Sequence, residues 1–208
     1  MAQNVDAFGI RSRTNVGIDE IRIELLRKSI HLLIALVPSL AFFIGAFPTT
    51  VILAAGVMFY ATCETLRMYG REVPVVSAVT SLAARKRDAG KFVLGPITLG
   101  LGAMLSLMLY PEPAASIAIY ALAFGDGLSS LVGKLFGTIR LPFTGGKSLE
   151  GSLTCFTAVF VSAYALSAKA LPSAAVALVA TITEACPLKD FDNIVLPLVT
   201  GCAALILL

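Results

Sequence analysis

Residues Ala114 to Lys134 read AASIAIYALAFGDGLSSLVGK, and before the closing lysine they hold a single charge, Asp126, set between Gly125 and Gly127. A helix of this length rises ~32 Å, enough to cross a hydrocarbon core of ~30 Å. An ionised carboxylate inside such a segment is costly unless it is paired or wet. The flanking glycines permit local unwinding or the close approach of a ligand, and broken helix at membrane depth is tolerated only inside protein or against a cavity. Gly125, Ser129, Gly133 and Gly137 also form a small-residue ridge at four-residue spacing, which suits helix packing. The ridge accounts for the small residues and leaves Asp126 without a packing role.

Outward from this span the chain keeps the same character. Its 208 residues are 57% hydrophobic and 14% charged, with mean hydropathy +0.88, where soluble domains carry about 25% charged residues. These figures exclude a soluble domain, a disordered chain and a disulfide-stapled secreted module. Apolar runs lie at Ile30–Phe47, Thr49–Leu66, Phe92–Tyr110, Ala114–Phe136, Leu149–Ala168, Leu171–Ala185 and Ile194–Leu208. They predict an all-α polytopic membrane protein of about seven transmembrane helices, forming a single membrane-embedded domain over residues 1–208. The first five runs are long enough to cross, while the last two sit near or below a lower limit of roughly 17 residues. Turns are expected at Pro48, at Pro111 to Pro113 and around Pro172.

Charge placement gives an orientation. With the N-terminus in the cytoplasm, residues 1–29, 67–91, 134–148 and 184–193 share that side, and they hold every Lys and Arg but Lys169. This obeys the positive-inside rule. Glu24, Glu150, Glu184, Asp190 and Asp192 fall on the same side, whereas the other offers only Glu112 and Lys169. The N-terminus and any active site are therefore expected at the cytoplasmic surface of a multi-pass protein, in the cell membrane of a prokaryote. Residues 1–28 lack the apolar core of a signal peptide and read as a cytoplasmic segment. Residues 71–91 place Val73, Val76, Val79, Leu82 and Ala83 at helical spacing ahead of Arg85-Lys86-Arg87, which predicts an interfacial amphipathic helix. Cys63, Cys155, Cys186 and Cys202 show no metal-binding spacing and read as buried thiols.

Four constellations can carry chemistry. Glu24, Arg27, Lys28 and His31 stand at i, i+3, i+4 and i+7, one helix face where the first span begins. This is either an ion-paired helix entrance or a functional face. Gly125-Asp126 is followed by Ser130, Gly133 and Lys134. Then Gly145-Gly146-Lys147-Ser148 opens the fifth run, a glycine-rich loop plus ammonium that suits an anionic group at a helix N-terminus. It is not a Walker A loop, since Leu141 stands where glycine is required, and Ser148 also suits a simple N-cap. Finally Glu184, Asp192 and Asn193 offer oxygens of the kind a hard divalent cation takes, although a solvated turn would read much the same.

In this order the motifs resemble the dolichol kinase, phytol kinase and diacylglycerol kinase family of integral-membrane lipid kinases that use CTP. The resemblance rests on Glu24-x-x-Arg27-Lys28-x-x-His31, on Gly125-Asp126 with Gly133-Lys134 and Gly137, on Gly146-Lys147-Ser148-Leu149-Glu150-Gly151-Ser152, and on Glu184 with Asp192-Asn193 before Pro197. The length is similar to the short phytol-kinase type. The resemblance implies transfer of the terminal phosphoryl group of CTP, with Mg²⁺ or another divalent cation, to the hydroxyl of a polyprenol, phytol or diacylglycerol.

Phosphoryl transfer asks mainly for positioning and charge neutralisation. Lys134, Lys147 and the Gly145–Ser148 backbone are therefore expected on the triphosphate, with Arg27 and Lys28 as a second clamp and Gly125, Ser130 and Gly133 beside it. Asp126, Glu150 and Asp192 are the expected metal ligands. Asp126 is the first choice for general base and His31 the second, with Glu150 also among the catalytic candidates. Two other readings stay open, a cytidylyltransferase making a CDP-lipid and a small membrane transporter. Membrane lipids are expected neighbours and no nucleic acid is expected. The sequence leaves the oligomeric state open.

Overall fold

The computed structural model describes residues 18–71, 73, 74, 76, 80, 90–189 and 191–208, with side chains from residue 24 onward. Most of the interfacial helix expected at residues 71–91 lies outside the described residues, as do residues 1–17 and Asp190. All regular elements described are helical: α1 (Ile18–Leu33), a 3₁₀ turn (Ile34–Leu36), α2 (Val37–Ile44), α3 (Ala46–Met68), α4 (Gly95–Leu109), α5 (Ala114–Tyr120), a π-helical segment (Ala121–Asp126), α6 (Gly127–Leu135), α7 (Leu149–Ser167), α8 (Ala170–Ala185) and α9 (Asp192–Leu207). The protein is an all-α membrane protein.

By length and composition four stretches can cross a bilayer: Glu24–Ile44, Ala46–Met68, Ala114–Leu135 and Leu149–Ser167. The other three apolar helices, α4, α8 and α9, have 15, 16 and 16 residues. The third run is thus shorter than its apolar sequence predicts. Pro96 sits in the first turn of α4, the Val93 N–H is held by the Glu64 carboxylate at 2.8 Å, and Tyr110 is already extended before Pro111. A residue preceding proline is pushed out of the helical region.

The first turn also differs from expectation. The chain reverses at Gly45, at φ +96°, and Pro48 lies within the opening turn of α3, where a missing N–H costs nothing. Pro38 explains the 3₁₀ turn ahead of α2: it cannot donate to the Ile34 carbonyl, and the Val37 N–H takes that carbonyl instead.

The span running through α5, the π segment and α6 is the centre of the fold. Two thirds of it is buried, against about a tenth of α3. Ile117, Ala121, Cys155, Val159, Val176 and Leu196 make one core with α7, α8 and α9. Val37, Ala103, Leu107 and Ile119 make a second with α2 and α4. Phe42, Phe43, Phe47, Met58 and Phe59 point outward, as lipid-facing side chains do.

The glycine ridge becomes a helix crossing in which Gly133 and Gly151 bring α6 and α7 together. A Cβ on Gly151 would lie 2.7 Å from the Ser129 carbonyl oxygen and 3.4 Å from Gly133 Cα. That contact is with backbone and cannot yield cheaply. Gly151→Val is therefore expected to destabilise by roughly 1–3 kcal/mol, the usual cost of overpacking. Gly56, with no atom within 4 Å of its would-be Cβ, should tolerate alanine with no loss. Thermal unfolding of both variants in detergent checks the pair, and equal behaviour would remove the crossing from the account.

Candidate functional site

Asp126 is the last residue of the π segment, and only 4% of it is exposed. A π turn adds one residue to a helical turn and shifts the carbonyls that follow. Here the Leu122 carbonyl accepts from His31 Nε2 at 2.8 Å. Because that acceptor is a carbonyl, Nε2 carries the proton. The helix therefore widens at the glycines instead of unwinding, and what comes close to them is the protein's own side chains: a Cβ on Gly125 would meet Val159 at 3.1 Å, and one on Gly127 would meet Leu32 and His31.

Helix α1 supplies the counter-charge. Lys28 Nζ lies 2.8 Å from Asp126 Oδ2 and 3.2 Å from its main-chain oxygen, and His31 Nε2 lies 3.3 Å from the same Oδ2. Lys28 and His31 are themselves buried. Asp126 Oδ2 is thus fully engaged inside the protein. Oδ1 faces Ser130 Oγ at 3.4 Å and Lys147 Nζ at 3.9 Å.

Lys147 arrives from the loop before α7, whose N-terminus is capped by Ser148 Oγ accepting from the Gly151 N–H. Its ammonium contacts Glu184 Oε1, which also accepts from Ser129 Oγ at 3.0 Å. Burial acts to lower the Lys147 pKa, but the charges of Asp126, Glu184 and Asp192 outweigh it and raise the value above the ordinary one. Lys147 is a cation throughout the neutral range.

These groups line one cleft of about 520 Å³. Arg27, Lys28, Lys134, Arg140, Lys147 and Lys189 face Glu24, Asp126, Glu184 and Asp192 there, an excess of positive charge that suits an anionic ligand. Glu24 is buried between Arg27, with which it pairs, and Lys134 at 3.4 Å. Gly145 and Gly146, at φ +70° and +100°, allow the loop to fold back along the cleft wall, where Arg140 Nη1 donates to the Gly146 carbonyl at 2.8 Å.

Most of the residues expected from sequence meet here. Arg27, Lys28, Ser130, Gly133, Lys134, Gly145, Gly146, Lys147, Ser148, Glu24, Glu184, Asp126 and Asp192 all line the cleft. Gly125 and His31 stand behind Asp126. Glu150 and Asn193 do not join them. Glu150 Oε1 accepts from the Thr138 and Ile139 N–H groups at 2.8 and 3.2 Å and from the Thr138 hydroxyl. It fastens the 136–148 loop to the start of α7. Asn193 Nδ2 donates to Thr98 Oγ1 at 2.9 Å and to the Gly95 carbonyl, tying α9 to α4.

Sequence reading passed over Ser129, which holds Glu184, and Glu64, 1% exposed at the end of α3. Glu64 accepts from Arg67 at 2.7 Å and from the Val93 N–H. Its acid–base pair at i, i+3 near a span end was the available signal, the same one that marks Glu24 and Arg27.

A divalent cation finds suitable donors in the cleft. Asp126 Oδ1, Glu184 and Asp192 supply carboxylate oxygens. Among the described residues, Glu184 Oε2 and Ser152 Oγ in the cleft, and Glu150 Oε2 outside it, are buried with no hydrogen-bond partner. No three His, Cys, Asp or Glu side chains among the described residues already converge as a metal cage. An ion held by these carboxylates would have to complete its shell with ligand phosphates and water.

Fold and cleft together describe a helical membrane protein that has, among its described residues, a basic cleft floored by carboxylates. Comparison with curated proteins makes the class more particular. A protein of Oryza sativa subsp. japonica named "Probable phytol kinase 1, chloroplastic" is 27% identical over 175 residues, covering 74% of this chain and 54% of its own length. One of Triticum aestivum, "Probable phytol kinase, chloroplastic", is 28% identical over 210 residues, 88% of this chain and 67% of its own. "Farnesol kinase, chloroplastic" of Arabidopsis thaliana is 28% identical over 144 residues, 68% and 47%. The chain thus spans about half to two thirds of the length of these relatives. No family model and no solved structure matches it. These relatives fit the resemblance carried by the motifs, that of a phytol-kinase-like member of a lipid kinase family.

The loop clamp gives a direct test. Glu150→Ala removes the acceptor for two backbone amides and one hydroxyl and should free the 136–148 loop. Trypsin is expected to cut the variant at Arg140 several-fold faster than the wild-type protein in detergent, with the helical circular dichroism unchanged. Equal cleavage rates would show that Glu150 does not fasten the loop.

Proposed function

We propose that the protein is a kinase that transfers the terminal phosphoryl group of a nucleoside triphosphate, CTP in the first instance, to the hydroxyl of a membrane lipid alcohol. The observation that carries this reading is a buried carboxylate at the floor of a basic cleft, Asp126 held by Lys28 and His31 with Lys147 against its free oxygen. The names of the curated relatives supply the substrate class, a long-chain isoprenoid alcohol.

In this reading Lys134, Lys147, Arg27 and the Gly145–Ser148 backbone grip the triphosphate. Lys28 is committed to Asp126 and positions it. Asp126 Oδ1 meets the lipid hydroxyl and orients it for in-line attack. A weak base suffices there, because a loose phosphoryl-transfer transition state asks for little proton abstraction. His31 uses Nε2–H to fix Leu122 and Asp126, so its contribution is positional. Asp126 and Asp192 would hold the divalent cation, Mg²⁺ first, which supplies neutralisation of the developing phosphate charge.

The lipid chain has a place beside the site. Phe124, Leu128, Leu153, Thr157 and Val161 line an apolar groove of about 520 Å³ on the same helices that carry Asp126 and Ser152. The cleft side is the basic side, and the positive-inside rule puts it in the cytoplasm or an equivalent compartment; the curated relatives are named chloroplastic. The one-sidedness of the charge speaks for an enzyme over a transporter, which needs polar access from both faces.

Purified protein in detergent with Mg²⁺, labelled CTP or ATP, and phytol, farnesol, a polyprenol or diacylglycerol should yield a lipid monophosphate and a nucleoside diphosphate. CDP-lipid with pyrophosphate would instead establish a cytidylyltransferase. Asp126→Asn should lower turnover by a factor on the order of 10² to 10³, as loss of one preorganised electrostatic group does, with membrane expression intact. Lys147→Ala should weaken nucleotide binding by about 1.5–3 kcal/mol, the worth of a charge-assisted contact. An unchanged nucleotide Kd would take Lys147 out of the phosphate site.

A further inference from the structure

We propose that the Lys147 ammonium occupies the place of a divalent cation between Asp126 and Glu184, and gives that place up when a metal–polyphosphate ligand binds. The inference rests on the cleft being a metal–phosphate site, and what it adds is that Lys147 competes with the cation for Asp126 and Glu184.

Three observations carry it. First, Lys147 Nζ bridges two carboxylates from different helices, at 3.9 Å from Asp126 Oδ1 and in contact with Glu184 Oε1. Two carboxylate oxygens facing one small cation are what a hard divalent ion takes. Second, the oxygens left over point to a missing ligand. Glu184 is 2% exposed and Ser152 8% exposed, both line the cleft, and neither Glu184 Oε2 nor Ser152 Oγ has a hydrogen-bond partner among the described residues. A buried carboxylate oxygen without a donor costs free energy that a bound cation would recover.

Third, only one of the two ammonium groups on Asp126 can leave. The Lys28 side chain is 4% exposed and holds both the Asp126 carboxylate and its main-chain oxygen, whereas that of Lys147 is 27% exposed on a glycine-hinged loop. A divalent ion alone must displace this ammonium, and a polyphosphate alone must pull it away and leave two carboxylates unpaired. When both arrive, the metal takes the carboxylates and the freed ammonium takes the phosphates. Binding of the two is therefore cooperative, and the coupling is reciprocal. Lys147 acts as an internal competitor that keeps bare metal out.

Mn²⁺ is the probe, its free concentration read by electron paramagnetic resonance during titration of the protein in detergent. Lys147→Met should bind Mn²⁺ at least ten-fold more tightly than the wild-type protein, and the double variant Lys147→Met, Glu184→Gln should return to weak binding. A second measurement needs no variant: Mn²⁺ raised to a concentration that fills the weak wild-type site should raise the acylation rate of Lys147 several-fold, read by mass spectrometry, and leave Lys169 at the opposite end unchanged. Lys147→Met binding Mn²⁺ no more tightly than wild type, or Mn²⁺ leaving Lys147 acylation unaltered, would overturn the exchange. Those results would stand beside normal lipid-alcohol turnover, so the exchange can fail while the kinase reading survives. Tight Mn²⁺ binding by the variant without turnover of any lipid alcohol by the wild type would keep the exchange and remove the kinase reading.

Discussion

One negative charge inside the central span organises this molecule. Asp126 is almost wholly withdrawn from solvent, and an unpaired carboxylate in such surroundings would cost more than a typical protein has to spare. It is kept by Lys28 and His31 from α1 and by the reach of Lys147 from the loop before α7. The first helix, the central span and the start of α7 are thereby bound to a common point. The glycines on either side of it let neighbouring helices pack close, with Val159 against Gly125 and Leu32 and His31 against Gly127. The π segment turns the Leu122 carbonyl toward the histidine that completes the shell.

The rest of the cleft is balanced around that point. Two more of its acidic groups reach a cation on another element: Glu24 meets Lys134 as well as its neighbour Arg27, and Glu184 meets Lys147. The pairs tie together the elements that carry them. They also leave the surplus of lysine and arginine on the open side, where a polyanion would meet it.

Much of this was legible in the chain. The spacing of Glu24, Arg27, Lys28 and His31 put all four on one face of α1, and the depth of Asp126 between glycines marked a carboxylate needing partners. Which member of the face meets Asp126 could not be read, because helical periodicity fixes direction and leaves the neighbouring helix unspecified. Glu150 shows a second limit. It stands in the Gly146–Ser152 motif, yet its oxygen turns back onto Thr138 and Ile139, a tertiary contact across a loop whose path depends on Gly145 and Gly146. Gly45 shows a third: Pro48 is the louder signal for a turn, but proline is at home in the first turn of a helix, and the glycine makes the reversal.

The short helices have a consequence for the surrounding membrane. Helices α8 and α9, at 16 residues each, reach ~24 Å along their axes, several ångströms less than the hydrocarbon thickness of an average bilayer. Where helices of this length cross a bilayer, the lipid beside them compresses to meet their polar ends. Hydrophobic mismatch of this kind draws headgroups inward on the flank where Glu184 and Asp192 stand, and shortens the distance an amphiphile's polar end must sink to reach the charges within.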